Sequence, residues 1–422
     1  MLVHTADLHV GSFSGKPLSD ASVKAFEEIS RHTLESGSRY LVISGDLFER
    51  PRFENYSVVN RVARTLRDLR DRGVKVVCVP GSHDTSVRGN DLIHLLREAG
   101  LIHLPTHEES REGLTLNPLE LGDYVFYGIP GLRNGLEAKF LSEGRVVFRG
   151  LESVVKPVIL LAHTGVKFYG YDPSDYSYRY GRMFLSGDGW LRELPNRVRY
   201  VALGHIHYPV PLLDEGRVKA AYPGAVVGRD RSDLYETYTL KREGRMRRFL
   251  EVDVGDDVPV VRSVWSDFGV DVVYERLVLG DVRDLTNHVR ALAKDIRGAF
   301  KALLIDITNV KPDKLGQLMY EASKLDQELR GHGTTLMLKP ELVSESGALS
   351  IDTSLSGDVL ELIERSVVEE AAKKLSSTLT PERLLKLIEL LSKRKPEGVN
   401  EDEFYESLYK ETRGLLEEMF SE

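Results

Sequence analysis

Five short motifs in the chain carry aspartate, histidine or both, and each follows a run of apolar residues. The motifs are Asp7-Leu8-His9, Gly45-Asp46, Gly81-Ser82-His83-Asp84, Ala162-His163 and Gly204-His205-Ile206-His207. Carboxylates carry charge and can bridge two cations, whereas neutral imidazoles fix geometry, so such sites accept manganese, iron or zinc. Two divalent ions about 3.5–4 Å apart can activate a water and stabilise a phosphate under in-line attack. The residue types therefore predict phosphoester hydrolysis at a two-metal centre.

Each motif has a structural alternative when it is taken alone. A Gly-Asp pair is commonly a turn, and a single histidine at the end of a strand is commonly a hydrogen-bonded structural group. Together, however, the motifs hold five of the twelve histidines and three aspartates. Their joint occurrence, rather than any one of them, favours the metal centre.

The apolar runs around the motifs predict the elements that must position these side chains. The strand-like runs are MLVHTAD, YLVISGD, KVVCVPG, YVFYGIPG, PVILLAH and YVALGH. Helix-length segments separate the runs, which predicts an α/β fold rich in parallel or mixed sheet. The helix predicted over 56–72 has an apolar face of Val59, Val62, Ala63, Leu66 and Leu69. In open α/β sheets ligands bind at the carboxyl ends of strands, where every motif falls.

Three domains are predicted along the chain. Residues 1–255 form the α/β domain, and 256–345 carry a β-α-β-α-β pattern that is typical of a small α+β domain. Residues 346–422 are predicted to form a helical tail, in which Thr380-Pro381-Glu382 begins a helix.

Composition describes a globular chain of 422 residues with 41% hydrophobic and 29% charged residues. The net charge of −8 argues against a protein that coats DNA by electrostatics alone. No apolar run reaches the roughly 18 residues of a membrane span, and no signal peptide is visible. The single cysteine, Cys78, lies in an apolar run, which predicts a reducing, cytoplasmic environment.

The order D-x-H, G-D, G-N-H-D, H, G-H-x-H is that of the calcineurin-like metallophosphoesterases, which this sequence resembles. The longer strings HTADLHVG, GDLFERP, VPGSHDTSVRG, ALGHIH and AAYPGA resemble the DNA double-strand-break repair nucleases, a family that includes the bacterial SbcD subunit. The resemblance covers residues 1 to about 250. It implies a four-layer α-β-β-α core with a small α+β capping domain and a helical C-terminal tail.

The resemblance also implies roles for the motif residues. Asp7, His9 and His207 would bind a first metal, Asp46 would bridge, and His163 and His205 would bind the second. His83, oriented by Asp84, would contact the scissile phosphate and assist the leaving group. Family members use manganese and act as 3′→5′ exonucleases and single-strand endonucleases.

Two positions depart from the family pattern. The family has a metal-binding Asn where this chain has Ser82, whose hydroxyl could reach a metal only by rearrangement or through a water. The second metal is therefore predicted to bind more weakly. The family often has His or Asp where this chain has Glu49, which leaves the balance of exonuclease to endonuclease action open.

Candidate DNA contacts lie in two further segments. Arg179 and Arg182 are interleaved with the tyrosines at 169, 171, 176, 178 and 180, a composition that suits stacking and phosphate contacts. The alternative is a loop packed by its own tyrosines. Arg229 and Arg231 follow the YPGA string, and plain surface arginines are the alternative there.

The resemblance implies protein partners and a location as well. The helices at 56–72 and 89–100 would pair in a homodimer, and the tail would bind an SMC-like ATPase through Leu384, Leu387, Ile388 and Leu391. Packing within the chain is the alternative for both. Such a complex would be cytoplasmic and associated with the nucleoid.

The sequence thus predicts a manganese-dependent DNA nuclease of double-strand-break repair that acts with an SMC-like ATPase. Two other functions stay open. One is a calcineurin-like phosphodiesterase with another substrate. The other is a DNA-end-binding scaffold whose nuclease activity is weakened by Ser82.

Overall fold

The computed structural model describes residues 1–52, 56–85, 91–132, 135–172, 180, 183–255, 257–280, 282–344, 347–350, 390 and 411–413. Its α-helices are α1 (Ala21–Glu35), α2 (Tyr56–Asp71), α3 (Leu92–Glu98), α4 (Leu136–Ser142), α5 (Gly187–Glu193), α6 (Arg231–Arg242), α7 (Val282–Asp295) and α8 (Pro312–Gly331). Short 3-10 helices cover Pro17–Asp20 and Leu151–Ser153.

The strands are numbered in chain order. They are β1 (Leu2–Thr5), β2 (Tyr40–Ser44), β3 (Lys75–Val79), β4 (His107–Ser110), β5 (Gly113–Leu116), β6 (Leu119–Leu121), β7 (Tyr124–Ile129), β8 (Val146–Phe148), β9 (Val158–His163), β10 (Val166–Lys167), β11 (Leu185–Ser186), β12 (Val198–Gly204), β13 (Glu215–Arg217), β14 (Ala220–Ala221), β15 (Arg247–Asp253), β16 (Val260–Ser266), β17 (Val270–Val278), β18 (Phe300–Val310), β19 (Thr334–Ser344) and β20 (Gly347–Ser350).

Two mixed sheets form the centre of the α/β domain. The first has the order β13-β16-β15-β1-β2-β3, and its strands β1, β2 and β3 are parallel. The second has the order β14-β12-β9-β7-β6, in which β7, β9, β12 and β14 are parallel. The parallel strands present their carboxyl ends, and hence the motifs, at one edge of each sheet.

Alternation of side chains along the strands produces four layers. In β2, Tyr40 and Val42 join the cluster that packs between the two sheets, while Leu41 and Ile43 join the cluster beneath α1 and α2. In the second sheet Leu160 joins a separate outer cluster with residues of α4 and α5. Successive strand side chains point to opposite faces, so both faces of each sheet are covered. The expected four-layer α-β-β-α core is confirmed.

Helix α2 illustrates how the outer layers are held. Val59, Val62, Leu66 and Leu69 are its buried residues, as the helical spacing predicts. Burial of one such aliphatic side chain contributes about 1.5–3 kcal/mol. The predicted apolar face is confirmed.

The small domain has the element order predicted for it. Strands β17, β18 and β19 alternate with α7 and α8, and the sheet order is β17-β18-β19-β20. The chain divides into two compact units, Met1–Ile305 with Gln317–Met337, and Asp306–Gly316 with Leu338–Glu422. The boundaries 1–255, 256–345 and 346–422 stay predictions.

The predicted helical tail is described only in part. Residues 347–350 form β20, which pairs antiparallel with β19, so the segment from 346 onward begins with a strand. Residues 390 and 411–413 are helical. The helix start at 380–382 and the four tail residues Leu384, Leu387, Ile388 and Leu391 lie outside the described residues. Along the described chain, no helix combines the length and apolarity needed to cross a membrane.

Candidate metal centre

The motif side chains converge where the carboxyl ends of the two sheets meet. Asp7 and His9 follow β1, Asp46 follows β2, and His83 follows β3 in the first sheet. In the second sheet His163 is the last residue of β9, and His205 and His207 follow β12. Among the motif residues Ser82 is exposed and His83 and His205 are partly buried. The other motif residues are buried.

Glycines allow the two sheet edges to approach closely. A Cβ on Gly204 would lie 1.8 Å from the carbonyl oxygen of Ser44, a distance that no real side chain tolerates. A Cβ on Gly81 would lie 2.1 Å from Oδ1 of Asp46. The glycine of the G-H-x-H motif and that of the G-S-H-D motif are therefore required by contacts between distant segments.

The backbone is strained at several motif residues. Asp7, His9, Asp46 and His205 have φ of +50°, +44°, +51° and +98°. Positive φ is costly for residues with a Cβ and is concentrated at functional sites, where surrounding structure holds it in place. The amides of Asp7 and His9 donate to the carbonyls of Gly45 and Asp46 at 3.1 and 2.9 Å, which locks the two loops together.

Six side chains place their donor atoms in three overlapping groups. The groups are Asp7, His9 and His207; His9, Asp46 and His83; and Asp7, Asp46 and His163, with the donor atoms of each group within 4.8 Å of one another. Asp7, His9 and Asp46 each belong to two groups. The tertiary structure thus brings together the carboxylates and imidazoles that the sequence placed in separate motifs.

His163 and His207 share one hydrogen-bonding pattern, and His9 has an ion-pair contact at the same ring nitrogen. Nδ1 of His207 donates to both carboxylate oxygens of Asp233 at 2.8 and 2.9 Å, and Nδ1 of His163 donates to the carbonyl of Ser44 at 2.9 Å. Nδ1 of His9 lies 2.9 Å from Oε2 of Glu49. Metal-binding histidines are usually oriented in this way, with one ring nitrogen tied to an acceptor and the other left for the cation.

The remaining nitrogens face one another and the two carboxylates. Nε2 of His9 lies 3.1 Å from Nε2 of His207 and 3.7 Å from Oδ2 of Asp46. Nε2 of His163 lies 3.4 Å from the same Asp46 oxygen and has no hydrogen-bond partner among the described residues. A buried nitrogen without a hydrogen bond is unusual. These atoms fit a divalent cation, because it would take the lone pairs of the imidazoles and neutralise the carboxylates.

The electrostatics of the buried cluster lead to the same conclusion. Burial raises the pKa of Asp7 to about 7, because the charged form is poorly solvated. Burial is the largest single influence on His163 and lowers its pKa, but the charge and hydrogen bond of Asp46, the charge of Asp7 and the hydrogen bond to Ser44 together outweigh it and raise this pKa to about 10. The carboxylates therefore draw positive charge into the cluster, which is the environment that a metal ion needs.

His205 has a different arrangement from the other histidines. Its amide donates to both oxygens of Asp7 at 3.0 and 3.1 Å, and its Nε2 donates to the carbonyl of Tyr180 at 3.1 Å. Nδ1 then carries the ring lone pair. The ring centroid lies 5.1 Å from that of His163, although His205 is in none of the three donor groups. Burial lowers its pKa to about 4, so the ring is neutral near pH 7.

His83 lies at the rim of the centre. Its amide donates to Oδ1 of Asp46 at 2.9 Å, and its Nδ1 donates to the carbonyl of Glu49 at 3.1 Å. Its Nε2 is in hydrogen-bond contact with the guanidinium of Arg229. Burial lowers the pKa of His83, and the half-exposed ring is placed to meet a ligand.

The resemblance implied that Asp84 orients the ring of His83, but the observed hydrogen bonds of Asp84 go to backbone amides instead. Its carboxylate accepts hydrogen bonds from the amides of Leu47, Phe48 and Gly81 at 3.2, 2.9 and 2.9 Å. It therefore ties the loop after β3 to the loop after β2. The backbone of Glu49, rather than Asp84, holds the imidazole.

Asp233 is the residue that sequence reasoning missed. It lies in the first turn of α6, is fully buried, and fixes His207 through the contact described above. Arg247 is also buried and donates to the carbonyls of His207 and Asp233 at 2.8 and 2.5 Å. The sequence signal was an aspartate in the first turn of a helix, which is ordinarily explained by its favourable interaction with the helix dipole.

The other predicted positions are placed as follows. Ser82 is exposed in the turn after β3, and Arg229 is half-buried beside His83. Arg231 is 5% exposed, so most of its side chain is inaccessible to a DNA strand. Arg179 and Arg182 lie outside the described residues.

Two of the three described tyrosines of the aromatic loop, Tyr171 and Tyr180, pack within the protein. The hydroxyl of Tyr180 accepts a hydrogen bond from the amide of His207 at 3.2 Å. Tyr171 stacks on Tyr208 with ring centroids 5.2 Å apart and planes at 3°. Tyr169 is exposed, and the tyrosines at 176 and 178 lie outside the described part of the chain.

Comparison with known proteins agrees with this geometry. Residues 1–209 match the model of the calcineurin-like phosphoesterase family. The chain belongs to the calcineurin-like metallophosphoesterases. Its sequence is similar to several curated relatives that are DNA double-strand break repair proteins Mre11.

Two of these relatives show the extent of the match. The protein from Aeropyrum pernix is 28% identical over 273 residues, which cover 62% of this chain and 60% of the relative. The protein from Archaeoglobus fulgidus is 28% identical over 247 residues, which cover 57% of this chain and 52% of the relative. The matched region thus spans between half and three fifths of these relatives. The phosphopantetheinyl hydrolase of Mycobacterium tuberculosis is 18% identical over 56% of this chain and 91% of its own, with a TM-score of 0.28, too low to bear on function.

Proposed function

We propose that this protein is a metal-dependent nuclease that hydrolyses DNA phosphodiester bonds in double-strand-break repair. The observation that carries the proposal is the convergence of Nε2 of His9, His163 and His207 on the carboxylates of Asp7 and Asp46. The relatives named for double-strand break repair support DNA as the substrate.

Two divalent cations, with manganese as the first candidate, suit the donor set. Three overlapping groups of carboxylate and imidazole donors exceed what one ion needs. Mixed oxygen and nitrogen donors favour manganese, iron or zinc over calcium or magnesium. When bound, the cations supply charge stabilisation for the phosphate and lower the pKa of the attacking water.

Arg229 and His83 bind the phosphate on the open side of the centre. The guanidinium of Arg229 carries a fixed positive charge and can donate to a phosphate oxygen. Its contact with Nε2 of His83 places both groups at one point of the rim. A negative phosphate at this point raises the affinity of Nε2 for a proton, which His83 then gives to the leaving oxygen. Asp84 serves this step by holding the loop that carries His83.

The same chemistry supports two narrower alternatives. A phosphodiesterase for another substrate would use an identical centre. A DNA-end-binding protein with weakened cleavage is favoured by Ser82, since no carboxamide is available where the family has its Asn ligand. Substrate range separates the first alternative from a nuclease, and the number of bound metal ions tests the second.

We also propose the assembly and location of the protein. A homodimer would form through α2 and α3, where Tyr56 and Leu95 are 66% and 60% exposed. The segment with Leu384, Leu387, Ile388 and Leu391 would bind an SMC-like ATPase as an amphipathic helix. Residues 1–255 would cut, 256–345 would cap the DNA, and the complex would act on the cytoplasmic nucleoid. Arg179, Arg182 and Arg231 stay candidate DNA contacts of lower rank than Arg229.

One purified sample tests the central proposal. It is assayed with manganese on plasmid DNA, a labelled oligonucleotide and a chromogenic phosphodiester, and again after removal of metal with EDTA. We expect manganese-dependent cutting of both DNA substrates. Turnover of the chromogenic compound without DNA cutting would replace the nuclease by a phosphodiesterase of another substrate.

The partner proposal has its own test. A chain ending after residue 350 is compared with the full chain for binding to the ATPase subunit encoded beside it or in the same genome. We expect the shorter chain to lose binding and keep turnover of the chromogenic phosphodiester. Full binding by the shorter chain would contradict the assignment.

A further inference from the structure

A pocket of about 460 Å³ lies beside the metal centre, at the carboxyl ends of β3 and β7. Its volume is within the range of about 300–1,000 Å³ that is usual for ligand sites. The lining combines Pro80 and Thr85 from the loop after β3, Gly131 from the loop after β7, and residues of α3 and the segment around β4. We call it the flanking pocket.

The flanking pocket and the metal centre share a wall. A Cβ on Gly131 would lie 2.7 Å from Cδ2 of His163 and 2.8 Å from the amide of Ser82. The amide of Gly131 also donates to the carbonyl of Pro80 at 3.0 Å. Since Pro80 and Thr85 immediately flank the G-S-H-D motif and Gly131 lies against His163, a group in this pocket would lie next to the candidate metal ligand His163.

The chemistry of the lining suits a flat heterocycle. Pro80 and Leu104 are buried apolar residues in its wall, whereas His94, Thr106 and His107 offer polar groups. Nδ1 of His94 lies 2.7 Å from the carboxylate of Asp91, which orients the ring. Apolar faces with hydrogen-bonding groups at the edge are the surroundings in which proteins hold an unstacked nucleobase.

We propose that the flanking pocket receives an unpaired nucleobase of the DNA strand, adjacent to the phosphate that the metal centre cuts. The proposal rests on the nuclease function proposed above. A base can enter only when it is unpaired, so the flanking pocket favours single strands and frayed ends over intact duplex. If the flanking pocket instead holds a small effector or a side chain of another protein, the affinity for DNA should not depend on the presence of bases.

The test separates base recognition from attraction to phosphate. The full chain is titrated in EDTA, so that no strand is cut, with a fluorescent oligothymidine and with an abasic tetrahydrofuran oligomer of equal length. The two probes carry the same phosphates and therefore the same electrostatic attraction. We expect wild type to bind oligothymidine about tenfold more tightly, since stacking of bases contributes measurably to single-strand affinity.

Two variants and a control locate the effect. Thr106→Trp fills the flanking pocket and His107→Ala removes one of its polar groups, whereas Val155→Trp adds an indole at a residue that is 90% exposed elsewhere. Both pocket variants should bind oligothymidine about fivefold less tightly and leave abasic binding unchanged. The control should match wild type on both probes.

Turnover of the chromogenic phosphodiester with manganese serves as the fold control, because that substrate has no base. If Thr106→Trp loses this turnover, it is misfolded and His107→Ala decides. Equal affinity of wild type for the two probes, equal weakening of both probes by the variants, or no DNA binding would overturn the proposal. Absence of DNA cutting with base-dependent binding intact would instead remove the proposed nuclease function.

Discussion

Nδ1 of His207 donates to the carboxylate of Asp233 at 2.8 and 2.9 Å, and both side chains are buried. The two residues belong to different elements, since His207 follows β12 and Asp233 lies in α6. The contact fixes the tautomer of His207 with its lone pair on Nε2, the nitrogen that faces His9. The geometry of the metal centre thus depends on a residue that is not itself in any of the three donor groups.

Replacement of Asp233 should weaken the metal without removing a donor. Asp233→Asn keeps the size of the side chain but loses the charge that orients His207. We expect about 10–100-fold weaker binding of manganese, the usual effect of changing such a supporting group. Competition with a chelating dye measures the affinity. Asp230→Asn is the matched control, because Asp230 caps α6 and asparagine caps equally well. Wild-type affinity in Asp233→Asn would contradict the role.

His83→Gln tests the distinction between a proton donor and a ligand. We expect DNA cleavage to fall by about 10²–10⁴-fold, the usual contribution of general acid catalysis, with bound manganese unchanged. Cleavage is followed on a labelled oligonucleotide, and metal content by mass spectrometry. The control is His288→Gln, which alters an imidazole of the small domain that is 47% exposed. Loss of metal from His83→Gln would make His83 a ligand, in keeping with its place beside His9 and Asp46.

Ser82→Asn should strengthen the second metal position. The longer carboxamide supplies an oxygen that the serine hydroxyl cannot bring to the same place, so the variant should retain two ions after gel filtration where wild type retains one. Ser82→Ala is the matched control and should behave like wild type. Two firmly held ions in wild type would show that Ser82 does not weaken the centre.

Gly81→Ala should disrupt the centre by steric overlap. Its new Cβ would lie 2.1 Å from Oδ1 and 2.4 Å from the amide of Asp46, so the carboxylate of Asp46 must move. We expect the free energy of unfolding to drop by about 1–3 kcal/mol, together with a loss of manganese affinity. Chemical denaturation and dye competition measure the two effects. Gly280→Ala, where nothing lies within 4 Å of the new Cβ, should change neither. Tight manganese binding by Gly81→Ala would count against the placement of Asp46.

His4 should make stability depend on pH below neutrality. It is fully buried between Tyr200 and Ser44, and burial lowers its pKa from 6.5 to about 3. The unfolded chain therefore binds a proton below pH 6.5 that the folded chain does not, so stability falls as the pH falls from about 6.5 toward 3. Between pH 7 and pH 5 this group should cost about 2 kcal/mol.

Urea denaturation in EDTA at several pH values measures this dependence. His4→Asn removes the ionisation and should reduce the slope of stability against pH in that window. Above pH 7.5 the slopes of wild type and variant should coincide, since His4 is neutral in both states there. Identical slopes between pH 5 and pH 7 would show that His4 does not carry the effect.

The sequence by itself determined the elements and most of the donors. Runs such as 40–46 and 157–163 are strands because their apolar residues are continuous, and 56–72 is helical because its apolar residues recur at helical spacing. Their polar ends had to meet at one edge, because parallel strands place their carboxyl ends together. The donors Asp7, His9 and Asp46 follow from that local pattern.

Only the tertiary structure decided how those donors are oriented and what lies beside them. The support of His207 by Asp233, the bracing of the loop after β2 by Asp84 and the shared wall at Gly131 all join segments distant in sequence. Such contacts cannot be predicted from hydrophobic periodicity or from the spacing of motifs. They arise when loops, strands and helices pack together in three dimensions, and packing selects partners by distance and shape, which a one-dimensional pattern does not contain.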